Sequence, residues 1–543
     1  MSSSIDSEWG IAAYDISWKV WALWFAVFAV FSAVFPRDAG FDVAHYHIHN
    51  GWSAVEGRLP RDMAPADLHS FLNPLHNALM WRLINALSGP VAMFIISPIQ
   101  AALLPVTYAL GVRLSERLDV RPSRIALLLA AFVGFLALPN QLMFSTLGND
   151  HWGALAFLVA LALLLPRDGK EVSVISLAVG SLLLGLSAGM KLTNIIYIIG
   201  YAAAVLCLAP SWRKRLHWAG ICAAIGAVGL MLTGGAWAWQ MWSTFGNPIF
   251  PNLGGMFPNA SFAPDEPFRD ERFLPAGLLD LFIRPFAFAV NGSLIYEFES
   301  ADPRFLALYL VILGGLGYSV IYRLREKTWP LHAKLVMSLS AGVLAIFLVW
   351  SSVFSIIRYA LALWVIAPIV LAVWLCWMMP ERARLPRFQL ILIVICVALF
   401  ATTGPSHVRR VAWSSWAEPY VWVERPESVD LSGSVVVFAT QFPTAFLAPA
   451  FEDAAWLTHT DSPPWSKPAL ANYRPMVREK LRASSAPVYV AMFWGQGSDG
   501  ADLQRVAAEF DMRADIAQCR RLTTSFDIKR TDDDMYWVLC PVR

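Results

Sequence analysis

Residues 18–51 read WKVWALWFAVFAVFSAVFPRDAGFDVAHYHIHNG. From Trp18 to Phe35 the only charge is Lys19, and the run approaches the roughly 20 apolar residues that a helix needs to cross a bilayer. Pro36 stops it. The chain then turns polar at once, with Arg37, Asp38, Asp42, His45, His47, His49 and Asn50 in quick succession. A run of spanning length that empties straight into an acid- and histidine-rich segment implies a membrane helix delivering a polar loop at the interface. The apolar pattern recurs at 91–112, 125–147, 152–165, 172–188, 195–209, 218–242, 305–322, 335–353, 359–378 and 388–403. Segment 71–87 is apolar too, but Asn73, His76, Asn77, Arg82 and Asn85 interrupt it, so it reads as an interfacial helix lying on the membrane. The expected fold is a polytopic α-helical membrane protein of about 11 transmembrane helices.

Composition agrees. The 543 residues are 57% apolar and 15% charged, where a soluble chain carries about a quarter charged residues. The mean hydropathy of +0.51 and the 24 Trp fit a membrane chain with interfacial aromatic belts. This excludes a cytosolic enzyme, a disordered scaffold and a nucleic-acid binder. The formal net charge of +2 conceals an uneven placement. Five loops are basic: Arg113/Arg117/Arg121/Arg124, Arg167/Lys170, Arg213/Lys214/Arg215, Arg323/Arg325/Lys327 and Arg382/Arg384/Arg387. The positive-inside rule places all five in the cytoplasm, and eleven spans with a cytoplasmic N-terminus satisfy every one. Loops 36–90, 148–151, 189–194, 245–304 and 355–358 then face outward, together with everything after Gly404. The terminus MSSSIDSEWG has neither a basic n-region nor a small-residue cleavage site, so segment 18–35 is expected to act as an uncleaved first span.

The tail from residue 405 changes character. Alternating and β-branched runs at 434–438, 488–493 and 536–539 are separated by helix-compatible stretches such as 501–510, which reads as a C-terminal extracytoplasmic α/β domain following a membrane domain of residues 1–404. Four of the six cysteines (Cys207, Cys222, Cys376, Cys396) sit in apolar spans. Cys519 and Cys540 are the two in the tail, and an oxidising compartment outside the membrane allows them to pair as a disulfide.

Polar groups are scarce near the membrane, so those present are informative. Asp42 follows the first span closely. Apolar walls beside a carboxylate raise its pKa, which suits a general base. Asp150, with Asn149 and His151, occupies a similar place after the third span. Two carboxylates facing one cavity divide base and orienting roles or bind a divalent cation such as Mg or Mn; as plain loop acids they cap the next helix. His45, His47 and His49 fall on one face if the segment is a strand, a three-histidine metal pattern, but splay apart if it is a helix. Lys191 and Arg358 sit at outer span ends, where they either snorkel or bind phosphate. Loop 245–304, with FGNPIFP at 245–251 and amphipathic stretches at 265–272 and 282–288, is long enough to cover a site.

The order of these motifs resembles the GT-C superfamily of integral-membrane glycosyltransferases, which includes bacterial aminoarabinose transferases, protein O-mannosyltransferases and oligosaccharyltransferase catalytic subunits. The resemblance rests on Phe41-Asp42 after the first span, Tyr46-His47 and Asn73-Pro74 in a long first loop, Asn149-Asp150 between the third and fourth spans, Gly189-Met-Lys191-Leu-Thr193 after the fifth, and Arg358-Tyr359 opening a late span. It covers roughly residues 18–378. It implies a sugar donor on a polyprenyl phosphate and a lipid, glycan or protein acceptor. Asp42 would be the base, and Asp150 with His47 and His69 would orient the substrates. Lys191 and Arg358 would stabilise the leaving phosphate, with inversion at the anomeric centre. The implied location is the bacterial inner membrane. No metal ligand is assigned, because Asp150 stands alone where metal-dependent members carry an acid pair. Two other readings fit less well. A transporter or flippase places its binding residues near the midplane on broken helices, whereas the polar groups here gather on one side. An assembly subunit would work through its tail, which carries only a weak net charge.

Overall fold

In a computed structural model, the structure describes residues 15–543 except 166–171, 258, 260–269, 328–329, 384, 440–442, 461–471, 495–499 and 530–533. Arg167, Lys170 and Arg384 of the predicted basic loops, residues 265–269 of the loop stretch and the MSSSIDSEWG terminus lie outside these. Among the described residues the apolar helices are α1 (Trp18–Val34), α2 (Gly89–Leu118), α3 (Arg124–Phe135), α4 (Asp150–Leu164), α5 (Val174–Met190), α6 (Leu192–Leu208), α7 (Trp212–Phe245), α8 (Arg304–Arg325), α9 (Leu331–Val353), α10 (Ile357–Met378) and α11 (Pro386–Ala401). Five of them, α2, α7, α8, α9 and α10, are long and apolar enough to cross a membrane. Each apolar segment of the sequence falls on one of these helices.

Local chemistry sets their ends. Ser17, Ser123, Ser173 and Ser211 cap α1, α3, α5 and α7 by accepting a backbone N–H of the first turn. Gly246, at a φ of 68°, ends α7 in the left-handed conformation that glycine adopts without strain. Segment 125–147 is not one helix. It stops at Phe135, and a short helix Leu138–Leu142 follows with Pro139 in its first turn. The Asn140 amide bonds back to the Phe135 carbonyl at 2.7 Å, and Asp302 accepts the Leu138 N–H at 2.9 Å.

Helix α10 forms the axis of the bundle. Of its most apolar stretch 83% is buried, including Trp364 and Trp374. Helix α7 lies at the rim, where only 11% is buried. It packs on α5 through small residues: a Cβ on Gly185 would meet the backbone of Gly226, and one on Gly189 would meet Leu230, Thr233 and Gly234.

Segment 71–87 forms the helix Leu75–Ala86, beside Ile48–Val55 of the same loop. The tail builds a seven-stranded sheet in the order β3 (Val423–Glu424), β7 (Arg520–Thr524), β9 (Asp534–Val542), β6 (Val488–Trp494), β4 (Val435–Phe438), β5 (Trp456–His459), with β8 (Ile528–Lys529) on β9. Strand β4 runs parallel to β5 and β6, and the remaining pairs are antiparallel. A disulfide joins Cys519 to Cys540. The sheet is tied to loop 36–90. Strand β1 (Arg37–Asp38) pairs with β2 (Arg410–Val411), and the buried Arg37 guanidinium donates to Glu418 at 2.6 Å and to the Pro419, Tyr420 and Ser525 carbonyls. Arg58 is held by Asp62 and by the Glu452 and Ala454 carbonyls.

Candidate active site

Asp42 leads into a π-helical turn, Val43–His47, that continues as the helix Ile48–Val55. π turns recur at functional positions because they re-aim side chains within a helix. The helical alternative therefore holds for the three histidines, and they splay. His45 meets Asp67 at 3.3 Å, His47 Nδ1 meets Asn77 Oδ1 at 2.7 Å, and His49 Nδ1 meets Asn50 Oδ1 at 2.9 Å. No single face carries all three.

A cavity of about 250 Å³ is lined by Asp42, Tyr46, His47, His69, Asn73, Asn149, Lys191, Arg358 and Tyr359. Asp150 lines an adjoining cavity of about 310 Å³ that shares Asp42, His47, Arg272, Glu297 and Arg358 with the first. The loops that the charge rule put on one side, 36–90, 148–151, 189–194, 245–304 and 355–358, all contribute to these walls. The apolar part of the first cavity comes from Leu72, Leu230, Trp237, Ala238 and Ile249, mostly on or beside the rim helix α7.

Charges of alternating sign run along the cavity wall. Arg358 Nη2 contacts Asp42 at 2.6 Å, Arg358 Nε lies 3.7 Å from Asp150, and Lys191 Nζ donates to Asp150 at 2.6 Å. Tyr359 offers its ring face to both cations, 4.8 Å from Lys191 and 5.3 Å from Arg358. The expectation that apolar walls raise the Asp42 pKa is corrected here. Burial does push it up, but Arg358, followed by His47, Lys191 and His69, outweighs burial and brings the carboxyl down from 3.8 to about 2. The reason is tertiary: the start of α10 meets the end of the first span. Burial lowers the pKa of His47, against the pull of Asp42.

Asn73 lines the cavity with its amide already engaged. It donates to the Gly189 carbonyl at 2.6 Å and the Thr233 carbonyl at 2.9 Å, pinning the first loop to α5 and α7. Asn149 Oδ1 and Thr193 Oγ1 are buried without a hydrogen-bond partner among the described residues. Polar atoms left unpaired in this way are suited to receive a ligand.

Sequence reasoning missed three groups. Asn77 orients His47 from the interfacial helix. Arg272, bonded to Asp270, sits 3.7 Å from Glu297 at the junction of the cavities. Asp67 stands between His45 and His69. Its only sequence signal was its place two residues before His69. With both Asp42 and Asp150 paired to cations, the carboxylates suggested for Mg or Mn already have their counter-charge. Among the described residues, His45, Asp67 and His69 form a group able to ligate a metal, with ligand atoms within 4.8 Å of one another.

No protein-family model and no curated protein sequence matches the chain. Among solved structures it is similar to ArnT from Cupriavidus metallidurans bound to undecaprenyl phosphate, with 14% identity and a TM-score of 0.43 over 96% of this chain and 98% of that one. It is also similar to the Archaeoglobus fulgidus oligosaccharyltransferase tethered with an acceptor peptide, with 14% identity and a TM-score of 0.44 over 87% of this chain and 69% of that one. AglB from the same organism, in complex with an inhibitory peptide and a dolichol-phosphate, gives 13% identity and 0.42 over 88% and 70%.

Proposed function

We propose that this protein is a membrane glycosyltransferase that moves a sugar from a polyprenyl-phosphate donor to an acceptor, with Asp42 as general base. One observation carries the reading: two carboxylates and two cations alternate along the wall of two adjoining cavities, the first of which has an apolar flank formed by Leu72, Leu230, Trp237, Ala238 and Ile249. Such a site suits a phosphate attached to a long hydrocarbon. The phosphate takes Arg358 and Lys191, and the polyprenyl chain leaves past Trp237 and Ala238 along α7, the least buried of the five long apolar helices. All eleven apolar helices cross the membrane in this reading, with the cavity and the sheet domain on the extracytoplasmic face of the bacterial inner membrane.

The ion pairs give the reaction an order. Arg358 holds Asp42 until a phosphate competes for the guanidinium. Released, Asp42 is a buried carboxylate among apolar walls and a far better proton acceptor. It removes the acceptor proton as the acceptor atom bonds to the anomeric carbon. The bond from that carbon to the phosphate oxygen breaks, polyprenyl phosphate departs, and direct displacement inverts the centre. Arg358 and Lys191 stabilise the charge that develops on the leaving phosphate, while Asp150 keeps both cations in place. His47, fixed by Asn77, and His69 orient the sugar.

The test is Asp42→Asn in the full chain. We expect transfer to fall by at least about 10²-fold, as for loss of a general base, with folding and polyprenyl-phosphate binding retained. Wild-type transfer rates in that variant would remove Asp42 from the role. Mass spectrometry of lipid-linked sugars that accumulate on deletion identifies the donor. Uptake into proteoliposomes with no glycosylated product would support the flippase alternative instead.

A further inference from the structure

We propose that His45, Asp67 and His69 form a metal site of the zinc class, which fastens the turn Asp67–Phe71 to the π turn behind Asp42. Asp67 Oδ2 lies 3.3 Å from His45 Nε2, and Asp67 Oδ1 lies 2.6 Å from His69 Nδ1. Tetrahedral zinc, with bonds of about 2.0–2.2 Å to nitrogen and oxygen, sets its ligands roughly 3.3–3.5 Å apart. The His45 contact already has that spacing; the His69 contact, made to the other carboxylate oxygen, opens by less than about 1 Å to reach it, and the three ligand atoms, now within 4.8 Å of one another, draw together around one ion.

Three further observations favour a cation. His45 is 1% exposed, and its Nε2, the atom that faces Asp67, makes no hydrogen bond among the described residues. The cluster is aromatic-walled: Phe41 lies against His45 at 4.6 Å, and Tyr46 stacks on His69 at 5.1 Å with an interplanar angle of 17°. Asp67 adopts a φ of 45°, a conformation that disfavours a non-glycine residue and must be held by its surroundings. Two imidazoles with one carboxylate select zinc over hard cations such as Mg, which prefer all-oxygen shells.

The site shares His69 with the first cavity but no ligand with the Asp42–Arg358–Asp150–Lys191 network, so its metal content is tested separately from transfer. Its place explains what it does. His69 and His47 both reach the first cavity, one from each of the two turns that the metal would join, so the metal sets their spacing.

The full chain is purified in detergent without chelator, and its metal content is measured by inductively coupled plasma mass spectrometry. We expect about one zinc per chain, falling more than about tenfold in His45→Gln and in His69→Gln and unchanged in His49→Gln. Should the substituted chains fail to fold, the wild type alone decides. Chelation lowers its melting temperature, and added zinc, but not magnesium, restores it. A wild type without bound metal whose melting temperature ignores both chelator and zinc overturns the site and leaves a hydrogen-bonded His–Asp–His bridge. Zinc retained in both histidine variants overturns it as well.

Discussion

Asp42 stands between two opposing effects, and their balance gives the first tests. Burial favours its neutral form more than any single neighbour opposes it, but Arg358 at 2.6 Å together with His47, Lys191 and His69 favours the charge and prevails. Removing the guanidinium in Arg358→Gln takes away the strongest of the neighbours that lower the Asp42 pKa, so the acid limb of the pH–rate profile moves to higher pH. The same change removes a phosphate contact. Hydrogen bonds to charged groups contribute about 1.5–3 kcal/mol, so we expect the donor KM to rise by about 10- to 100-fold. A donor KM that does not move would place the phosphate elsewhere. The pairing also affects stability. A carboxyl held below its ordinary value stabilises the fold above that value and loses the contribution as it protonates. The difference in melting temperature between wild type and Asp42→Asn should therefore hold above pH 3.8 and shrink as the pH falls towards 2. The residue types at the site were legible because charge is rare beside apolar spans. Their pairing was not, since Asp42 and Arg358 are far apart in the chain and no local pattern links them.

At the level of elements, helices were legible wherever apolar length spoke for them. Where two local readings competed, packing chose. The alternation His45, His47, His49 is compatible with a strand, and the segment is helical because Gly51 sits against the Asn77 carbonyl and Trp81, letting Ile48–Val55 pack closely on Leu75–Ala86. The third apolar segment stops early because Asn140 and Asp302 offer its backbone better partners than continued helix. The α5–α7 crossing yields a prediction of its own. In Gly189→Leu the side chain meets the backbone of Leu230 and Gly234. We expect destabilisation of about 1–3 kcal/mol, the usual cost of overpacking, read as a lower melting temperature. Transfer should also weaken, because the end of α5 carries Lys191.

For the whole molecule, loops spread from residue 36 to 358 converge on one pair of cavities, and the sheet domain is locked to the first of them. Arg37 carries much of that lock, 1% exposed and bonded to Glu418 and three carbonyls. Breaking a buried pair costs about 3–5 kcal/mol because it strands the partner charge. Arg37→Ala should lower the melting temperature accordingly and open the tail to limited proteolysis, while Arg482→Ala, at an exposed pair, should do neither. Membrane character and helix positions follow from run length and apolar composition, which partition between water and lipid residue by residue. Such properties can be read along a single chain. The Arg358 contact that restrains Asp42, the asparagine that aims His47 and the carboxylate between His45 and His69 arise only when distant segments pack. Their energies depend on distances that one-dimensional order does not contain.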